Sequence, residues 1–121
     1  MFKATLLPAV LIASLWAAGP ALSHPRVVTS SPAAGATVTP GPKELRIQFS
    51  EPLFRKFSGV TVTNHAGRGV KTAAVLVDPK DKRVMIVRLK GPLAPGHYHV
   101  AWHAVSADTH RVQGAYDFQV N

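Results

Sequence analysis

Asp108 and His110 stand two apart in the segment "SADTH", residues 106–110. In an extended chain such side chains leave the same face with Cα atoms ~6.5–7 Å apart, so one carboxylate oxygen and one imidazole nitrogen can reach a single ion. Two donors make a weak site. His24 can supply the rest, because it follows the small-residue run "ALS" and precedes Pro25. Cleavage after Ser23 makes His24 the first residue, and its α-amine and Nδ1 then close a chelate ring on a metal. Three nitrogens and one oxygen in a plane favour Cu(II), which also tops the affinity order of the divalent ions. The amine has an ordinary pKa of ~7.7–8, so the metal displaces one loosely held proton near neutral pH. Pro25 has no amide N–H for copper to displace, which leaves the remaining ligands to the fold. "SADTH" is the best source of them.

The cut itself is legible in residues 1–23. Lys3 precedes the apolar run "TLLPAVLIASLWAA", and Ala21 and Ser23 occupy the small-residue positions before the break. That is the layout of a secretory signal peptide. The run is shorter than the ~20 residues of a spanning helix, and Pro8 and Pro20 interrupt or flank it. Residues 24–121 hold no second stretch of that length, so one soluble, exported domain without a membrane span is expected.

The chain has 14 Lys+Arg against 6 Asp+Glu, a formal charge of +8. These charges are scattered singly apart from "DPKDKR", with no basic helix and no aromatic-basic stripe, so a nucleic-acid partner is not expected. There is no cysteine. The domain must hold itself without a disulfide, and any metal must be met by nitrogen and oxygen.

The elements that must position the candidate ligands read as strands. "KELRIQFS", "GVTVTN", "VKTAAVLV", "RVMIVRL", "HYHVAWHAVS" and "VQGAYDFQV" carry alternating or β-branched apolar residues, and "HAGRG", "DPKDK" and "GPLAPG" read as turns. "SSPAAGATVTPGP" is expected to be loop. No window shows helical periodicity. The pattern predicts an all-β sandwich of Greek-key type. In "HYHVAWHAV" the period of two puts Tyr98, Val100, Trp102 and Ala104 on the core face and His97, His99 and His103 on the outer one, where they are candidates for a second, weak metal site. His65 falls in a turn and is assigned no role. Ser106, Asp108 and His110 supply hydrolase residue types, but neither a nucleophile elbow nor an oxyanion hole accompanies them.

On the terminal His24, "SSPAAGATV", "IQFSEPL", "YHVAWHAVSADTH" and "GAYDFQV", the chain resembles the CopC/PcoC periplasmic copper-resistance proteins over essentially all of residues 24–121. The resemblance implies an immunoglobulin-like or cupredoxin-like β-barrel or sandwich that binds one Cu(II) through His24, Asp108 and His110. It implies a periplasmic copper carrier or buffer, with an inner-membrane transporter of the CopD type as receiving partner, and it sets Glu51 of "FSEP" beside the copper ligands. Members usually carry Gly where this chain has Thr109. Some add a Met-rich Cu(I) loop, whereas Met85 is the sole methionine after the cut and a Cu(I) site is not expected. The alternative is an enzyme of the histidine-brace type, in which a terminal His and a second His hold copper for oxidative polysaccharide cleavage. Asp108 at a copper position and the absence of a flat aromatic face argue against it. A purely structural β-domain is a third reading. Resistance against uptake, and the oligomeric state, stay open.

Overall fold

Ten consecutive residue pairs join the last two strands, β8 (Gly96–Val105) and β9 (Arg111–Val120), from Gly96↔Val120 to Val105↔Arg111. The structure, a computed structural model, describes residues 24–121; segment 1–23, expected from its sequence to be a signal peptide, lies outside the described residues. Seven further strands precede this hairpin: β1 (Val27–Ser31), β2 (Thr37–Val38), β3 (Glu44–Phe49), β4 (Gly59–Asn64), β5 (Gly69–Val70), β6 (Leu76–Asp78) and β7 (Asp81–Arg88). They form two sheets, in the orders β1-β3-β7-β6 and β2-β9-β8-β4-β5. The expected β-sandwich is the observed architecture. Among the described residues one 3-10 turn, Arg55–Phe57, interrupts it. No helix among the described residues is long and apolar enough to cross a membrane.

Alternation builds the core. Leu45, Ile47 and Phe49 of β3 point inward beside Met85 and Val87 of β7, with Ile47 opposite Met85 and Leu45 opposite Val87. From the other sheet Val62, Tyr98, Val100, Ala104, Phe118 and Val120 meet them. Phe49 packs edge-on against Trp102 at 5.1 Å, and Tyr98 stacks on Phe118 at 5.4 Å. Each buried Leu, Ile, Val, Phe or Met side chain among them stabilises the fold by roughly 1.5–3 kcal/mol relative to exposure.

Two expectations are corrected. The segment 70–77 is not one strand: Val70 pairs with Val62 in the five-stranded sheet, while Leu76 pairs with Ile86 in the four-stranded one. Its apolar run does not alternate because the chain crosses between sheets there, held to the end of β7 by the Thr72↔Leu89 bridge and by the Ala73 amide donating to the Arg88 carbonyl at 2.8 Å. The stretch 30–42 is not wholly loop either. It holds the end of β1 and all of β2, which pairs parallel to β9. β1 is an edge strand with one partner and mostly exposed side chains, so backbone pairing forms it without a hydrophobic signature.

Candidate metal centre

β8 and β9 stop pairing at Val105 and Arg111, which leaves residues 106–110 as their connection. Ser106 is 2% exposed and forms an isolated bridge with Leu53, and the amide of Phe54 donates to the Val105 carbonyl at 2.8 Å. The base of the connection is thereby tied to the segment after β3. Within it the Thr109 amide donates to the Ser106 carbonyl at 2.8 Å, closing a turn.

This is a correction: Asp108 and His110 do not lie in an extended strand. Thr109 between them is left-handed, with φ of 66°. A β-branched residue there costs about 1–2 kcal/mol against the ordinary helical or extended regions. The Thr109 hydroxyl offsets part of that cost by donating to the Asp108 carbonyl at 2.6 Å. The bend brings the two candidate ligands closer than a strand would: Asp108 Oδ2 lies 3.2 Å from His110 Nδ1, and Asp108 Oδ1 accepts the His110 amide at 3.2 Å.

The Ser106 hydroxyl donates a short hydrogen bond to Asp108 Oδ1. This bond is the main reason that the Asp108 carboxyl is held below its ordinary value; the His110 amide and ring add to it and desolvation opposes it. The carboxylate is therefore charged and oriented before any ion arrives.

His24 reaches the same place from the other sheet. Its neighbour Pro25 is buried, and the next residue is clamped to the end of β3: the Arg26 amide donates to Ser50 Oγ at 3.1 Å and the Ser50 amide to the Arg26 carbonyl at 2.9 Å. The His24 and His110 rings meet edge-on, centroids 4.9 Å apart at 81°. One ligating atom from each of His24, Asp108 and His110 lies within 4.8 Å of the others, and all three residues are exposed. Among the described residues no other set of three or more His, Asp or Glu side chains is gathered in this way. Two imidazoles and a carboxylate, without sulfur, suit a borderline divalent ion.

A family model described as the CopC domain matches residues 27–121. The chain belongs to the CopC family. It is 35% identical to Protein YobA of Escherichia coli K12 over 97% of this chain and 90% of that protein. It is also 35% identical to copper resistance protein C of Xanthomonas campestris pv. juglandis, over 98% of this chain and 97% of that one. The crystal structure of PcoC, a methionine-rich copper resistance protein from Escherichia coli, superposes with a TM-score of 0.75 at 36% identity, covering 82% of this chain and all of that one. Of the two methionines in this chain, Met85 is fully buried opposite Ile47 and Val77.

The outer histidines do not gather as one group. His97 and His103 are six residues apart on one strand, about 20 Å. His103 is half-buried with its ring packed on Gly59, where an added Cβ would stand 2.6 Å from it, and burial, then Arg111, pushes its pKa down. His99 Nδ1 lies instead 2.6 Å from Asp117 Oδ1. Glu51 is half-buried in the bend after β3, two residues before Leu53, the bridge partner of Ser106. The sequence reading missed Phe54 and Phe57, 44% and 56% exposed, which line a cavity of about 650 Å³ with His103, Val105, Thr109 and Arg111. Their signal was "PLFRKFS", two aromatics with no strand alternation to bury them.

Proposed function

We propose that the protein, exported and cut before His24, binds one Cu(II) in the periplasm and buffers it or carries it to an inner-membrane transporter of the CopD type. His24 would contribute its amine and ring, and Asp108 and His110 the remaining donors, with Glu51 close by. The observation that carries this reading is the meeting of His24, from before β1, with Asp108 and His110 of the β8–β9 turn within 4.8 Å. The donor set supports Cu(II): a charged carboxylate and imidazoles on an exposed rim bind a labile cargo and can release it to a partner. The CopC membership supports copper as that cargo.

The test compares protein beginning at His24 with the same chain carrying one added residue before it, by competition against a Cu(II) chelator. The free terminus should bind one Cu(II) at least about 100-fold more tightly, since the extension removes a ligand outright. Equal affinities would overturn the terminal chelate. The exposed pair Phe54 and Phe57 beside the turn favours a second reading, oxidative catalysis on a polymer. Ascorbate-driven cleavage of polysaccharide by the copper-loaded protein decides for it, and its absence for the carrier.

A further inference from the structure

Three of the chain's six histidines sit at the opposite end of the five-stranded sheet from the His24 site. His65, His97 and His99 line one cavity of about 340 Å³ together with Asp117, Asn64 and Tyr98. The backbone sets this up. His97 and His99 are two apart on β8 and so leave the same outer face ~6.5–7 Å apart at Cα. His99 is the cross-strand partner of Asp117, and Asn64 that of Tyr98. His65, the next residue after Asn64, therefore arrives beside His97 as the chain turns. Its ring Nδ1 lies 4.0 Å from where a Cβ on Gly96 would stand.

From this arrangement we propose a second metal site, formed by His65, His97 and His99, for a borderline divalent ion of the Zn(II) type. It rests on different residues from the copper reading and stands or falls without it. Asp117 does not serve as a ligand. Its Oδ1 lies 2.6 Å from His99 Nδ1, so that nitrogen donates to the carboxylate and Nε2 is left as the metal-binding atom. A carboxylate behind a ligating imidazole is the usual device that fixes its tautomer and raises its basicity. Three neutral imidazoles with an open fourth position are the donor set of trihistidine zinc centres. The three nitrogens are not gathered as at the His24 site, but all three residues are exposed. The site therefore requires the exposed rings to turn between staggered side-chain states, which needs no change in the core. The six strand steps from His99 to Val105 keep the two sites about 20 Å apart.

The experiment uses His24→Ala/Asp108→Ala/His110→Ala protein, which lacks the side-chain ligands of the first site, titrated with Zn(II) by calorimetry while the histidine ring signals are followed by NMR. One Zn(II) should bind, shifting the His65, His97 and His99 signals. Adding His97→Ala/His99→Ala should abolish binding, and adding Asp117→Asn should weaken it about 10-fold or more. His103→Ala should leave it unchanged. Apart from half-buried His103 the substituted residues are exposed, so retained strand circular dichroism is expected, and His65→Ala alone should weaken Zn(II) as an independent arm. No Zn(II) binding, binding indifferent to His97→Ala/His99→Ala, or an equal loss with His103→Ala would overturn the site.

Discussion

At the β6–β7 turn Asp78 accepts the Lys80 amide at 2.8 Å, and its other oxygen accepts the Arg46 guanidinium at 2.8 Å. At the β8–β9 turn Asp108 accepts the His110 amide at 3.2 Å and the hydroxyl of Ser106. Both aspartates brace a turn, and both are held below the ordinary carboxylate range. For Asp78 the Lys80 amide is the leading cause, and for Asp108 the Ser106 hydroxyl. What differs is the neighbour of the second oxygen. Arg46 is a permanent cation with no lone pair, so it neutralises Asp78 and can ligate nothing. His110 and His24 are bases with lone pairs, so the charge of Asp108 stays available to an ion they also bind. The same local turn chemistry thus gives a structural clasp in one place and a candidate metal centre in the other.

Removing the bases should break the contrast most. His110→Ala and Asp108→Ala are each expected to weaken Cu(II) by about 10–100-fold or more, with the circular dichroism of the folded domain retained. Unchanged affinity in a chelator competition would contradict the assignment. Ser106→Ala should have a smaller effect on copper, because it removes only the hydroxyl that orients Asp108. Its distinguishing readout is the carboxyl titration followed by NMR, in which the Asp108 pKa should move up toward 3.8.

Asp78→Asn should leave Cu(II) affinity unchanged and alter acid stability instead. The Asp78 carboxyl is lowered on folding, so it stabilises the protein above its unfolded value and that contribution is lost as pH falls through the folded one. Urea midpoints measured between about pH 5 and pH 2 should therefore fall less steeply in the variant than in the parent. The smallest effect is expected from Thr109→Gly. Relief of the left-handed threonine should raise unfolding stability by up to about 1 kcal/mol in urea titration, since glycine adopts that conformation freely. A lower stability would show that the Thr109 hydroxyl outweighs the strain.

Much of the site was legible without coordinates, because chemistry is written in residue types. The expected terminal position of His24, the carboxylate and imidazole of "SADTH" and the absence of thiols already pointed to a nitrogen-oxygen donor set. Strands with a clean period of two, β3, β4, β7, β8 and β9, were equally readable, since one buried face imprints itself on the sequence. β1 and β2 were not, because edge pairing through the backbone leaves no such imprint. Nor was the crossing within 70–77, where a continuous apolar run serves two sheets.

By itself, then, the sequence determined the donor types, the alternation of β8 that points His97 and His99 outward, and the class of fold. Only the tertiary structure decided which donors meet. Thr109 could be read as a strand residue until its φ showed a bend, and the approach of His24 depends on Pro25 and Ser50, 25 residues apart in the chain. His65 reaches the cavity of His97 and His99 only because β4 pairs with β8 in one particular register. Spacing along the chain sets local geometry; contacts between distant segments follow from how two sheets pack, and no short stretch of residues encodes that.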